Sequence, residues 1–112
     1  MDFRTQKLLE AAKVKLWSPD IIVEASELRV VWCGGRIQEE LGYAPEDIVG
    51  VNLREFVVLD GPGMTDMIFN LLSKEQTFIV TTISKDGRQI KLRIRADSLA
   101  YDDRQYILGK IV

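Results

Sequence analysis

Ser84 to Ile94 reads SKDGRQIKLRI. Lys85-Asp86-Gly87 is the best local turn signal in the chain, because Asp-Gly supplies the positive φ that a tight hairpin turn needs. After the turn the sequence alternates. Ile90, Leu92, Ile94 and Ala96 fall on one face; Lys91, Arg93, Arg95 and Asp97 fall on the other. A period of two predicts a strand with one buried face. Before the turn, Gln76 to Ser84 is rich in Thr, Ile, Val and Phe, which suit a pleated surface. The two runs make an antiparallel hairpin. Tyr101-Asp102-Asp103 turns the chain again, and Arg104 to Val112 reads as the final strand.

Working back towards the N-terminus, the periodicity changes to that of a helix. Residues 3 to 16 carry one apolar stripe, Leu8, Leu9, Ala12 and Leu16, with Lys7, Glu10, Lys13 and Lys15 elsewhere. Ser18-Pro19-Asp20 ends that helix, since a proline disfavours helix at the residue before it. Ile21 to Val23 and Leu28 to Trp32 are short strand-like runs joined by Glu24 to Glu27, a hairpin-length loop that lacks the expected glycine. Gly34-Gly35 breaks the second strand. Ile37 and Leu41 at i and i+4 give a short helix one inward face. Gly42 suits a left-handed C-terminal cap. Pro45-Glu46-Asp47 opens another short helix, with proline in its first turn and two acids opposing the positive end of the dipole. Asn52 to Asp60 reads as loop or irregular helix, Gly61-Pro62-Gly63 as loop. Met64 to Ser73 reads as a helix with Met64, Met67, Ile68, Leu71 and Leu72 inward. The order predicts an α+β domain with one antiparallel sheet and helices on one face.

Composition narrows the chemistry. The chain has 112 residues, enough for one domain with its own core. Its net charge of −2 argues against nucleic acid held by bulk electrostatics. No apolar run approaches the ~20 residues that span a bilayer, and the charged N-terminus does not read as a signal peptide. One cysteine, Cys33, permits no internal disulfide. These features suit a cytoplasmic protein. Histidine is absent, which removes His-based acid/base catalysis, most zinc sites and most haem ligation. Glu39-Glu40 and Asp102-Asp103 are the nearest carboxylate pairs, and neither converges on one point, so a small enzyme is the disfavoured class. Lys91, Arg93 and Arg95, with Arg88 beside them, form a basic stripe. It reads either as an anion or acidic-partner site or as a solvated face with cross-strand partners such as Glu24.

Four segments in order resemble a PAS domain. SPDIIVEASELRVVWC is similar to the family's opening hairpin, and EELGYAPEDIVG to its "LLGYSPEELIG" segment. SKDGRQIKLRI resembles the "KDG" hairpin, and RQYILGKIV the last strand. The resemblance spans residues 14 to 112. It implies a five-stranded antiparallel sheet around short helices, with residues 18–112 as the PAS domain and residues 1–17 as a flanking, dimerising helix. It also implies a sensory or protein-interaction role in bacterial signal transduction, as in a sensor histidine kinase, diguanylate cyclase or transcriptional regulator. Such a domain relays binding of a ligand or partner to an output domain; the alternative is a ligand-free dimerisation scaffold. The implied partners are a second copy, through Leu8, Leu9, Ala12, Leu16 and Trp17, and the output domain, with no nucleic acid or membrane contact.

The chain departs from the family where a cofactor would be held. Flavin-binding LOV members carry a reactive Cys in "GRNCRFL"; here Gly50 to Phe56 reads GVNLREF, and Leu53 stands at that position. Thr82 and Leu92 stand where the flavin-contacting Asn residues are expected. No flavin adduct can form at a leucine, and haem lacks its usual axial histidine. No cofactor or metal is therefore expected. A small metabolite remains open, in a pocket lined by Leu53, Phe56, Met64, Met67, Ile68, Thr82, Leu92 and Ile94, or those side chains fill the space themselves. Two further departures weaken one corner. Gly34 replaces a common Asn, and Ala44 replaces the Ser or Thr that would cap the next helix, typically ~1 kcal/mol.

Overall fold

The structure, a computed structural model, describes residues 3–58 and 76–112. The elements are α1 (Phe3–Lys15), β1 (Ile21–Glu24), β2 (Arg29–Cys33), α2 (Gly35–Leu41), α3 (Pro45–Ile48), a 3-10 turn (Leu53–Glu55), β3 (Val57–Val58), β4 (Gln76–Ile83), β5 (Gln89–Tyr101) and β6 (Arg104–Ile111). The loop and helix expected over residues 61–73, with Met64, Met67 and Ile68, lie outside the described residues.

The strands form one sheet in the order β2-β1-β6-β5-β4-β3. Every pairing is antiparallel. Among the described residues the sheet has six strands rather than the expected five. The extra one is Val57–Val58, which pairs with Thr82 and Thr81. Two residues give too short a run for alternation to be read from sequence.

Two cores lie on opposite faces of this sheet. On the inner face, Val23, Val30, Leu92, Ala96, Ile107 and Ile111 pack under Ile37 and Leu41 of α2 and Ile48 of α3. On the outer face, Leu8, Leu9, Ala12 and Leu16 of the N-terminal segment pack over Ile22, Tyr106 and Leu108. The short helices α2 and α3 lie on one face, as expected, and the flanking helix α1 packs on the other. The stripe of α1 was legible as apolar, but its target was not, because periodicity marks a face without naming its partner. Asp97, which alternation had assigned to solvent, is also buried. Asp97 lies opposite Leu108, on the outer face.

The β1–β2 turn solves its lack of glycine in another way. Leu28 takes up a left-handed φ of 56°. The buried Glu24 carboxylate accepts hydrogen bonds from Ser26 Oγ at 2.5 Å and from the Ser26 and Glu27 amides at 3.2 and 3.3 Å. The Ser26 hydroxyl, followed by the backbone amides, holds this carboxyl below its ordinary pKa despite burial. Glu24 lies on β1, opposite Tyr106 and Arg29. It is thus a turn-closing acceptor, not the expected cross-strand partner of the basic stripe.

Candidate functional site

The inner face carries the candidate site, and it is built around the Gly42 corner. Gly42 has φ 82°, and its N–H donates to Gln38 O, closing α2 with a left-handed cap. The residue after such a cap commonly makes a hydrophobic contact back to the fold. Here that residue is Tyr43, whose ring lies 5.9 Å from Phe56 at 53°. Its hydroxyl donates to Ile83 O at 2.8 Å. Leu41 O accepts from Lys85 N at 2.9 Å, so the corner is tied to the β4–β5 turn twice over.

The second soft point is also compensated. Ala44 has no side-chain oxygen and caps nothing. Asp47 supplies the reciprocal half of a capping box, its Oδ2 accepting from Ala44 N at 2.9 Å. The same oxygen accepts from Lys85 Nζ at 3.0 Å. Lys85, then the Ala44 amide, hold the Asp47 carboxyl below its ordinary value. Position 34 makes no side-chain cap to α2, and its N–H donates to Asp20 O at 2.9 Å. Ties through Tyr43, Asp47 and Lys85 replace those expected of an Asn at position 34.

Five of the eight expected pocket residues are described, and they converge on the inner face. Phe56 and Leu92 belong to the inner core, with Leu53 and Ile94 half-buried against it. Thr82 is buried, and its hydroxyl donates to Ile90 O at 2.6 Å. Its donor is therefore spent within the hairpin. Arg54, next to Leu53, is exposed. Tyr43, Val80 and Ile90 join the same wall and were not singled out from sequence. The signal for Tyr43 was its place next to the cap glycine; Val80 lies on the Leu92 face because the two are opposite in the β4–β5 register.

The expected dimer residues divide. Leu8, Leu9, Ala12 and Leu16 are buried against the chain's own sheet. With this stripe the helix caps the sheet. Trp17 is 77% exposed and Val14 is 90% exposed.

The titratable groups do not assemble into a catalytic set among the described residues. Glu39 and Glu40 are exposed, as are Asp102 and Asp103 in their turn. Among the described residues the buried carboxylates are Glu24, in its turn, and Asp97, whose Oδ1 accepts from the Ser98 amide. Cys33 is buried, and burial, then the nearby Glu46 charge, pushes its thiol up to about 11. Such a thiol is a poor nucleophile and a poor ligand at neutral pH. Among the described residues no three Cys, Asp or Glu side chains lie together as a metal site. No helix among them is long and apolar enough to cross a membrane.

Solved structures share this arrangement. The PAS domain of an HTR-like protein from Haloarcula marismortui superposes with a TM-score of 0.65 at 19% identity, over 99% of this chain and 100% of its own. The chain has the PAS fold. The PAS domain of a two-component sensor histidine kinase matches at TM-score 0.66 and 13% identity, covering 96% of this chain and 99% of that one. A Rhodobacter sphaeroides LOV protein matches at TM-score 0.71 and 19% identity, covering all of this chain and 68% of the other. No protein-family model matches the sequence, and no curated protein matches it. In the PAS frame, Leu53 packs at the edge of the inner core. A leucine there offers no thiol for an adduct.

Proposed function

We propose that this PAS domain is a sensory or protein-interaction module of a bacterial, cytoplasmic signalling protein. It relays an event at its inner face to an output domain and has no catalysis or prosthetic group of its own. The observation that carries the reading is the position of β6. Ile107 and Ile111 pack in the inner core, while Tyr106 and Leu108 pack under α1 on the outer face. A close-packed interior transmits displacement rather than absorbing it. An inner-face ligand that prefers one setting of this strand would shift the population of α1 positions with it.

A second reading has its own support. Phe56 and Leu92 are packed into the core with Leu53 and Ile94 against them, and Thr82 has already spent its donor. That favours a ligand-free dimerisation module. Its contact would use the apolar surface that Val14 and Trp17 leave exposed.

A thermal-shift screen of small metabolites, followed by hydrogen exchange, separates the two. In the relay reading, a compound that raises the melting temperature slows exchange at Phe56, Val57 and Thr82 and alters it in α1. Protection confined to the inner face would sink the relay. An absorbance spectrum without visible bands is expected; a visible band would overturn the cofactor-free reading. If no compound binds and sedimentation gives a dimer that Trp17→Ala weakens, the scaffold reading stands.

A further inference from the structure

The first turns of α1 face the hairpin turn between β5 and β6 across a cleft of about 630 Å³. Small-molecule sites run from ~300 to ~1,000 Å³. The cleft is apart from the inner wall of Phe56 and Leu92. Its floor is apolar. Leu8 and Tyr106 are buried members of the outer core, with Val31 and Tyr101 packed against them. Tyr101 lies opposite Arg104, and Arg104 shares the face of Tyr106 because residues two apart on a strand point the same way.

The rim carries charge that no ion pair in the fold takes up. Arg4 and Lys7 stand on α1, and Arg104 opens β6. None of the ion pairs between described residues involves these three. Lys7 Nζ sits 5.2 Å above the Phe3 ring. Glu24 feels the Arg104 charge, but its oxygens are taken by Ser26 and the Glu27 amide. Asp102 and Asp103 form the opposite lip, both with left-handed φ, 51° and 63°. Asn or Gly is the usual choice in such a two-residue turn. The three cations exceed the two carboxylates by one charge. The first turn of α1 contains no acid, so its amide dipoles add to that excess.

Tyr106 points the cleft towards a ligand. The residue is only 9% exposed. Its hydroxyl bonds to no group among the described residues, yet every fully enclosed side-chain oxygen there has a partner. The hydroxyl therefore keeps an opening, and the cleft that Tyr106 lines supplies it. A buried phenol normally finds a hydrogen-bond partner. One excess positive charge over an aromatic floor suits a singly charged anion with a ring. A phosphate ester would set close to two negative charges against Asp102 and Asp103.

We infer that this cleft binds a small aromatic carboxylate carrying a hydroxyl or amino group on its ring. Arg4 and Arg104 take the carboxylate, whose two oxygens their planar guanidinium groups match. The ring lies on the floor of Leu8 and Tyr101. The ring donor reaches the Asp102-Asp103 lip, and the Tyr106 hydroxyl supplies one more hydrogen bond.

The test titrates the full 112-residue chain, isotope-labelled, with para-hydroxybenzoate and para-hydroxycinnamate. Amide shifts are followed by NMR, with para-hydroxybenzamide as the uncharged control. Saturable shifts are expected at Arg4 to Leu8 and at Tyr101 to Tyr106, with Kd below about 10 mM. The amide control should bind about tenfold more weakly or worse, and Arg104→Gln should raise Kd about tenfold. Tyr106→Phe should raise Kd severalfold with an unchanged melting temperature, because it removes a hydroxyl that no protein group bonds. The inference fails if neither acid saturates, or if both folded variants bind as wild type does. Equal binding of the amide control would show that charge is not read and overturn it. So would inorganic phosphate shifting the same amides at equal concentration, since the site would then take any anion. Shifts confined to Phe56, Thr82 and Leu92 would also overturn it, while supporting a ligand on the inner face. Failure at the cleft leaves the inner-face reading standing, because the two sets of amides do not overlap.

Discussion

A side chain at position 34 would have to share space with Trp32. A Cβ there would lie 3.1 Å from the indole Cη2, closer than ordinary packing allows. The glycine that looked like a missing cap is therefore where the Trp32 ring passes, and the ring's other contacts lie in the outer core. Gly42 was readable from sequence because a left-handed cap has a strong residue preference. The replacement ties were not readable, since Asp47 meets Lys85 across 38 positions of chain. Asp47 gives a pH prediction. Its carboxyl is held below 3.8 in the folded chain by the Lys85 ammonium first and the Ala44 amide second. A folded pKa below the unfolded one stabilises above 3.8, and that contribution is lost as pH falls through the folded value. Asp47→Asn should thus lower the melting temperature near neutral pH, and the gap from wild type should close in acid. Melting curves across pH check this; a gap that persists unchanged into acid would rule out the charge as its source.

At the scale of elements, the sheet depends on small residues where β1, β6 and β5 meet. Gly109 faces Ile21 on one side and Ala96 on the other. A Cβ at position 109 would fall 2.9 Å from Ile21 Cγ2 and 3.6 Å from Ile94 Cγ2. Something must move, and the Ile21 side chain lies nearest. Gly109→Ala should cost about 1–3 kcal/mol as overpacking. Ile21→Ala in the same chain should relieve part of that cost, so the double mutant is more stable than the sum predicts. Urea unfolding of the four members of the cycle measures the coupling, and strict additivity would remove Ile21 as the clash. Alternation had already marked which β5 residues turn inward, Leu92 and Ala96 among them. It mis-assigned Asp97, which is buried opposite Leu108 on the face where the outer core forms, a packing that the local pattern does not carry. The basic stripe kept its exposure for the complementary reason: α1 does not extend over it.

For the whole molecule, the question is whether two cores on one sheet behave as one. β6 runs between β1 and β5 and carries both cores on successive residues: Ile107 faces inward, and Leu108, fully buried, faces α1. The α1 layer is thin, with Leu8, Leu9, Ala12 and Leu16 as its buried contribution. An isolated helix of 13 residues is marginal in water, so α1 draws its stability from that contact. If the layers are coupled through β6, damage to the outer core destabilises the whole domain. Leu108→Ala should cost about 2–5 kcal/mol. Unfolding should remain a single transition in wild type and variant alike, with tryptophan fluorescence and far-UV circular dichroism giving one midpoint. Trp32, half-buried in the outer core, reports on the α1 layer, while circular dichroism reports mainly on the sheet. A fluorescence midpoint that precedes the sheet's would mean that α1 peels away on its own. Inner-face events would then have no mechanical route to it through β6, and the relay reading would fail at its central step.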